Sequence, residues 1–326
     1  METFLTYLLF AAGLVMIIKG GDLFVDSASW IADASGVPKF IIGATIVSIA
    51  TTLPEMIVSF IAAGNGKVAM ACGNAVGSVT ANIALIMSIS ILFMPMVIKR
   101  GDYILKSVLM LSAIGLLWVF SIDGKITVIE SLPVLAVFII FIIENVISAK
   151  KESGQSGEER PEVNVRTVVK NIIFLVLGIA GIVIGSDLLV DYGSEMARSL
   201  GVSEAVISLT AIAIGTSLPE LVTTITAIIK KVPSLSLGNL VGACIIDMTM
   251  ILPVSAIISG GSIGGSEFIQ TARVDLPVCL LVGTVALVPA LISQRFRRWQ
   301  GVVMLGVYAC YLAAIMLIDS GAITLS

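Results

Sequence analysis

Long apolar runs, separated by short polar stretches, fill almost the whole chain. Runs of spanning length fall near residues 3–19, 38–64, 68–94, 103–121, 126–148, 167–186, 202–229, 233–258, 274–293 and 300–318. About 20 apolar residues in a helix cross the hydrocarbon core of a bilayer, so the pattern predicts ten membrane helices. A content of 57% hydrophobic and 13% charged residues, with mean hydropathy +1.08, excludes a soluble globular domain. Aromatic residues, at 6%, are too few for the girdles of an outer-membrane barrel. The expected fold class is therefore all-α. The first run lacks a basic n-region and a small-residue cleavage site, and it is read as a membrane helix, not a removable signal.

Inside these runs, polar residues recur at a fixed distance. ATTLPEMIVS at 50–59 returns as GTSLPELVTT at 215–224, which sets Glu55 and Glu220 165 residues apart. The same offset carries GNAVGS (73–78) onto GNLVGA (238–243), Asn82 onto Asp247, Asp22 onto Asp187 and Asp26 onto Asp191. One unit is written twice, as residues 1–148 and 167–326, with a hydrophilic linker at 149–166. Each unit holds five helices. Five is odd, so the second copy enters the membrane upside down, with a pseudo-two-fold axis in the membrane plane. Such a repeat, with broken helices at the midplane, is the signature of a secondary transporter.

Basic residues set the orientation. Of the 19 lysines and arginines, only Lys67, Lys125, Arg198 and Arg273 fall in even-numbered loops; the others, with Lys19 and Lys106 counted among them, fall in odd-numbered ones. Odd loops and the 149–166 linker are thus expected in the cytoplasm and both termini outside. A net charge of −3 gives no sign of a nucleic-acid partner, and no histidine is present to ligate zinc or shuttle protons. Cys72, Cys244, Cys279 and Cys310 show no CxxC spacing and read as buried thiols.

The duplicated motifs supply the chemistry. Pro54 and Pro219 each lack a backbone donor and clash with the carbonyl four residues earlier, so helix breaks are expected near Ala50 and Gly215. Free carbonyls survive in a membrane only where they line a cavity or bind something. Beside each proline stand hydroxyls, Thr51 and Thr52 in the first copy and Thr216 and Ser217 in the second, followed by Glu55 or Glu220. These are hard oxygen donors suited to Na⁺, Ca²⁺ or Mg²⁺. A glutamate in a spanning helix costs about 2.5–3.5 kcal/mol on insertion scales, and its duplication calls for a function. Asn82 and Asp247, an amide and a carboxylate at equivalent positions, would complete a central ring. The glycines of the two GN motifs stand in GxxxG spacing, which suits close helix packing. Asp22, Asp26, Asp187 and Asp191 fall at segment ends and read as interface or capping residues.

The paired TLPE-type motifs with GNxxG segments resemble the alpha-repeats of the sodium/calcium exchangers, in the calcium/cation antiporter superfamily. The resemblance covers essentially the whole chain and implies electrogenic exchange of Na⁺ for Ca²⁺ by alternating access. It implies that Glu55 and Glu220 are central ligands shared by both cations, flanked by Thr51, Thr52, Thr216 and Ser217. It further implies that Asn82 and Asp247 are the remaining central pair and Ser78 a peripheral Na⁺ ligand, with Ser48 and Ala213 offering backbone carbonyls to Na⁺. Ala243 stands opposite Ser78, and Ala50 replaces the glycine seen at Gly215; both departures touch the Na⁺ sites. No regulatory domain fits in the linker, as in prokaryotic forms. The transported cations and the lipid bilayer of the cell membrane are the expected partners, with no cofactor and no obligatory protein partner. A proton/Ca²⁺ or other divalent-cation exchanger of the same superfamily is the alternative, a cation channel a third reading, and an enzyme is not expected.

Overall fold

The computed structural model describes residues 2–98, 100–152, 161, 163–200, 215, 217–264, 268–320 and 322. Among these residues, nine helices are long and apolar enough to cross a membrane. They are α1 (Phe4–Ser35), α2 (Lys39–Gly64), α3 (Met70–Phe93), α4 (Tyr103–Phe120), α5 (Val128–Lys151), α6 (Val165–Ser199), α8 (Pro233–Ile258), α9 (Phe268–Ser293) and α10 (Arg298–Ile318). Between α6 and α8 lies α7 (Leu218–Ile229), the shorter described part of the expected 202–229 span. Thr216 and Ala213, two expected site residues, lie outside the described residues. The chain is a multi-pass, all-α membrane protein, and the order of its described helices is consistent with two inverted five-helix repeats.

Two expected boundaries are corrected: α1 runs past residue 19, and α6 runs past residue 186 to Ser199. Helix α1 does not end at residue 19 but continues to Ser35, where Gly36 turns the chain at φ +69° and Pro38 follows. Charge interrupts an apolar run here without interrupting the helix. Asp22 and Asp26, one turn apart on α1, both bond Lys230 Nζ, at 3.3 and 2.9 Å. They are therefore mid-helix, as Asp187 and Asp191 are in α6. Lys19 lies within α1 and Lys106 within α4, not in loops. Lys106 is buried and bonds Glu144 at 2.6 Å. Cys72, Cys244 and Cys279 are buried thiols, whereas Cys310 is exposed on α10.

Among the described residues, four π-helical turns interrupt the spans: Gly43–Val47, Asn82–Met87, Asp247–Ile251 and Thr271–Asp275. Pro253 and Pro277 each follow such a turn by two residues, and the wider turn relieves the clash of the ring with the carbonyl four residues back. Position 88, the repeat equivalent of Pro253, is a serine whose hydroxyl donates to the Ala84 carbonyl. Pro54 behaves differently from expectation. The stretch Ser48–Gly64 stays α-helical through it, and the irregularity of α2 sits upstream at Gly43–Val47. Pro219 lies in the first turn of α7, with Ser217 as the residue that begins the helix. The two prolines thus have different local settings despite matching sequence.

The chain forms two compact units that cut across the repeats: residues 1–54 with 145–239, and 55–144 with 240–326. In the first, α1 and α6 cross on glycine. A Cβ on Gly20 would lie 2.8 Å from the Gly178 carbonyl, and one on Gly185 2.8 Å from the Gly13 carbonyl. Lipid tails are as apolar as leucine, so such close backbone approach, with its dispersion gain, is what holds membrane helices together. Gly43 and Gly238 make a second crossing, where a Cβ on either would strike the carbonyl of Leu235 or Phe40. The expected packing role of the GN-motif glycines thus holds for Gly238; a Cβ on Gly73 or Gly77 would meet nothing within 4 Å. Phe24, Val25, Ala28, Ile42, Val47, Ile182 and Leu235 fill the core of this unit.

In the second unit, α9 packs on α4 and on α10, and α10 packs on the second half of α3. Two connections are stitched by an antiparallel ribbon, β1 (Lys125–Thr127) with β2 (Ser262–Gly264), Ile126 facing Ile263. Two others meet at a bridge between Val97 and Arg295. Gln300 donates from Nε2 to the Val285 and Ala286 carbonyls, at 3.0 and 2.8 Å, fixing the start of α10 on α9.

Gly178→Ala and Gly43→Ala should each lower the melting temperature in detergent, by an overpacking cost of about 1–3 kcal/mol. Gly115→Ala and Gly306→Ala, where a Cβ meets nothing within 4 Å, should leave it unchanged or raised. The Lys230 contact has its own signature. Burial lowers the lysine pKa, but the hydrogen bonds and charges of Asp26 and Asp22 outweigh it, and the net shift is upward from 10.5. A raised lysine pKa stabilises fully below its unfolded value and is lost as pH rises through the folded value. The melting-temperature gap between the parent and Lys230→Met should therefore be constant from pH 6 to pH 9, as roughly flat titration there requires, and should close only in strong alkali.

Candidate cation site

In the first unit the TTLPE hydroxyls and the second glutamate form one network. Ser48, Thr51, Thr52, Ser217 and Glu220 are all buried. Thr52 Oγ1 donates to the Ser48 carbonyl at 2.6 Å, so the carbonyl expected to face Na⁺ already accepts one hydrogen bond. Thr51 Oγ1 lies 3.3 Å from that same carbonyl and 3.1 Å from Asn239 Oδ1. It is also within hydrogen-bonding range of the Glu220 carboxylate. Glu220 stands in the first turn of α7. There the unsatisfied amides at a helix N-terminus favour negative charge. Its Oε2, and Ser217 Oγ, are buried without a hydrogen-bond partner among the described residues.

In the second unit Glu55, Ser78, Asn82 and Asp247 are likewise buried. Asn82 and Asp247 each occupy the first position of a π turn. Turns of this kind shift the backbone hydrogen bonds and recur at functional sites. The helical stretch Val68–Ala81, which carries Ser78, packs against the π turn that begins at Asp247. Both side-chain polar atoms of Asn82 are buried without a hydrogen-bond partner among the described residues. An amide left so costs on the order of 1–3 kcal/mol in a protein interior. Ala243, opposite Ser78 in the repeat, is fully buried and offers no side-chain ligand.

Further polar residues belong with these and were not singled out from sequence. Asn74 Nδ2 donates to the Glu55 carbonyl at 3.2 Å and to Ser59 Oγ at 2.9 Å. Asn239, its repeat equivalent, donates from Nδ2 to Thr223 Oγ1 at 3.0 Å. Thr223 in turn donates to the Glu220 carbonyl at 3.0 Å. The 165-residue offset that relates the glutamates also relates these two asparagines, and Ser59 to Thr224. That was the available signal, hidden because glycine dominates the reading of a GNxxG motif.

No group of three or more His, Cys, Asp or Glu side chains is placed to hold a metal among the described residues. Hydroxyl, amide and carbonyl oxygens must therefore supply much of any shell. Such a shell suits weakly held alkali and alkaline-earth ions, which take oxygen ligands in flexible geometry.

Comparison with known proteins agrees with this chemistry. A family profile described as "Sodium/calcium exchanger protein" matches residues 5–146 and 170–317. The sodium/calcium exchanger MaX1 of Methanosarcina acetivorans is 30% identical, over 96% of this chain and 99% of its own length. An uncharacterized membrane protein of Methanocaldococcus jannaschii, MJ0091, is 31% identical over 94% and 96%. Among solved structures, the sodium-calcium exchanger NCX_Mj soaked with sodium and no calcium superposes with a TM-score of 0.81 at 28% identity. That likeness covers 95% of this chain and 99% of the other. This chain belongs to the sodium/calcium exchanger family of membrane transporters.

Proposed function

We propose that this protein exchanges Na⁺ for Ca²⁺ across the cell membrane by alternating access. Both cations use the carboxylates of Glu55 and Glu220, and Asn82 and Asp247 act with them. Thr51, Thr52, Thr216 and Ser217 serve as flanking ligands, with Ser78 and the carbonyls of Ser48 and Ala213 for Na⁺. The observation that carries the reading is a set of buried oxygens without hydrogen-bond donors. Glu220 Oε2, Ser217 Oγ and the Asn82 amide oxygen lack protein hydrogen-bond donors among the described residues, as oxygens kept for mobile cations must.

The two repeats, 1–148 and 167–326, lie in opposite senses with both termini outside and the 149–166 linker in the cytoplasm. Loop pairing supports this alternation. Val97 bridges Arg295, joining the third loop to the ninth, and Lys125–Thr127 pairs with Ser262–Gly264, joining the fourth to the eighth. Odd connections meet odd and even meet even.

The first test is ⁴⁵Ca²⁺ uptake into proteoliposomes loaded with Na⁺, against K⁺-loaded vesicles and an imposed pH gradient. Uptake should require internal Na⁺ and ignore the pH gradient; uptake driven by protons alone would replace sodium coupling with proton coupling. Glu55→Gln and Glu220→Gln should each reduce this uptake at least about 100-fold, beyond the range seen for residues that only support a ligand, while both variants remain extractable and folded. Stoichiometry has a separate measure. With three Na⁺ per Ca²⁺, one net charge crosses per cycle, and 100 mV contributes about 2.3 kcal/mol, roughly fifty-fold in the equilibrium calcium ratio. A valinomycin-imposed K⁺ potential should shift that ratio accordingly. No shift would mean electroneutral exchange.

A further inference from the structure

We propose that Asn239 is a positioning residue that aims the Thr51 hydroxyl at the cation, and that Asn74 holds the backbone at Glu55 in the corresponding way. The inference rests on Thr51, Glu55 and Glu220 being cation ligands.

The direction of each hydrogen bond follows from what each group can give. The Glu220 carbonyl only accepts, so Thr223, 3.0 Å away, spends its single proton there. Thr223 Oγ1 must then accept from its other neighbour, Asn239, and that fixes Nδ2 of the amide toward Thr223. The amide oxygen is left facing Thr51 Oγ1 at 3.1 Å and takes its proton. Of the competing acceptors, the Ser48 carbonyl is more distant at 3.3 Å and already receives Thr52 at 2.6 Å, and the Glu220 carboxylate, also within range of Thr51, turns to the cation when one is bound in the proposed site. Thr51 thereby keeps its lone pairs clear. A hydroxyl can ligate a cation only when its proton points elsewhere, and partners of this kind raise ligand quality and fix ligand orientation.

All four members of the relay, Thr51, Thr223, Asn239 and Glu220, are buried, so water does not scramble the assignment. In the first repeat the link is shorter. Asn74 gives both of its N–H groups, one to the Glu55 carbonyl and one to Ser59. Each glutamate thus has its main-chain carbonyl tied to a GN-motif asparagine, directly at Glu55 and through Thr223 at Glu220.

The test is equilibrium ⁴⁵Ca²⁺ binding to the purified full-length protein in detergent. It compares the parent with Thr51→Ala, Asn239→Ala, their double variant, Thr223→Val and Glu220→Gln. Asn239→Ala should raise the Ca²⁺ Kd about 10–100-fold, the usual effect of losing a ligand's supporting partner. Because Asn239 acts through Thr51, the double variant should match Thr51→Ala alone to within about two-fold. Thr223→Val keeps Asn239 in place and cuts the relay one link back; it should weaken binding in the same direction, and it carries the test if Asn239→Ala does not fold. An unchanged Kd in Asn239→Ala, or effects that multiply in the double variant, would overturn the assignment. Parent binding that Glu220→Gln removes, beside an unaffected Asn239→Ala, would sink this proposal and leave the exchanger reading standing. A parent that binds no Ca²⁺ would sink both.

Discussion

A bilayer interior supplies no water, so every oxygen carried into it must be matched by a proton from the protein or by a cation from outside. Among the described residues, this protein carries in Glu220 Oε2 and Asn82 Oδ1 with no proton from its own groups to meet them. Among the described residues its only buried basic side chain is Lys106, which is bonded to Glu144. The remaining buried polar groups are mostly hydroxyls, amides and carboxylates. Hydroxyls can satisfy carbonyls of their own helix, as Thr80, Ser88 and Thr249 do. The others, around Glu220 and at Asn82, keep unsatisfied acceptors that a Na⁺ or Ca²⁺ would complete.

The backbone is opened by different local means at equivalent places. In the second repeat Pro253 removes a donor and the helix widens into a π turn beginning at Asp247. In the first, Ser88 stands where the proline would be, and its hydroxyl occupies the Ala84 carbonyl behind a π turn beginning at Asn82. Carboxylate and amide thus share a backbone setting while differing in charge. In the cation site proposed above, that asymmetry would be chemically useful. Two identical carboxylates would raise the cost of the site without ions, and two amides would weaken divalent binding.

Glycine fixes the packing that surrounds these groups. At α1 against α6, and at Gly43 against Gly238, backbones approach until a single methyl would strike a carbonyl. Such crossings leave little freedom for the helices to shift along one another without losing contact, because densely packed elements have few alternative arrangements. They also bring the Asn239 amide within reach of Thr51, since Gly238 precedes it at the crossing.

The sequence by itself determined the all-α class, the ten segments, the doubled inverted unit and the acidic motif residues. Hydropathy and an internal repeat report the cost of placing a group in lipid, and that cost is visible one residue at a time. Tertiary structure decided the quantities that depend on partners. Helix α1 runs on past Asp22 and Asp26, where they meet Lys230, some two hundred positions away. Lys106 reads as a loop cation until Glu144 accepts it inside the protein. The Pro54 and Pro219 motifs match residue for residue, yet one lies within a continuous helix and the other begins one. Asn74 and Asn239 were legible as repeated residues, but not as hydrogen-bonding partners of Glu55, Thr223 and Thr51. A side chain's partners are set by which helices cross and where, and no local pattern of residue types encodes that.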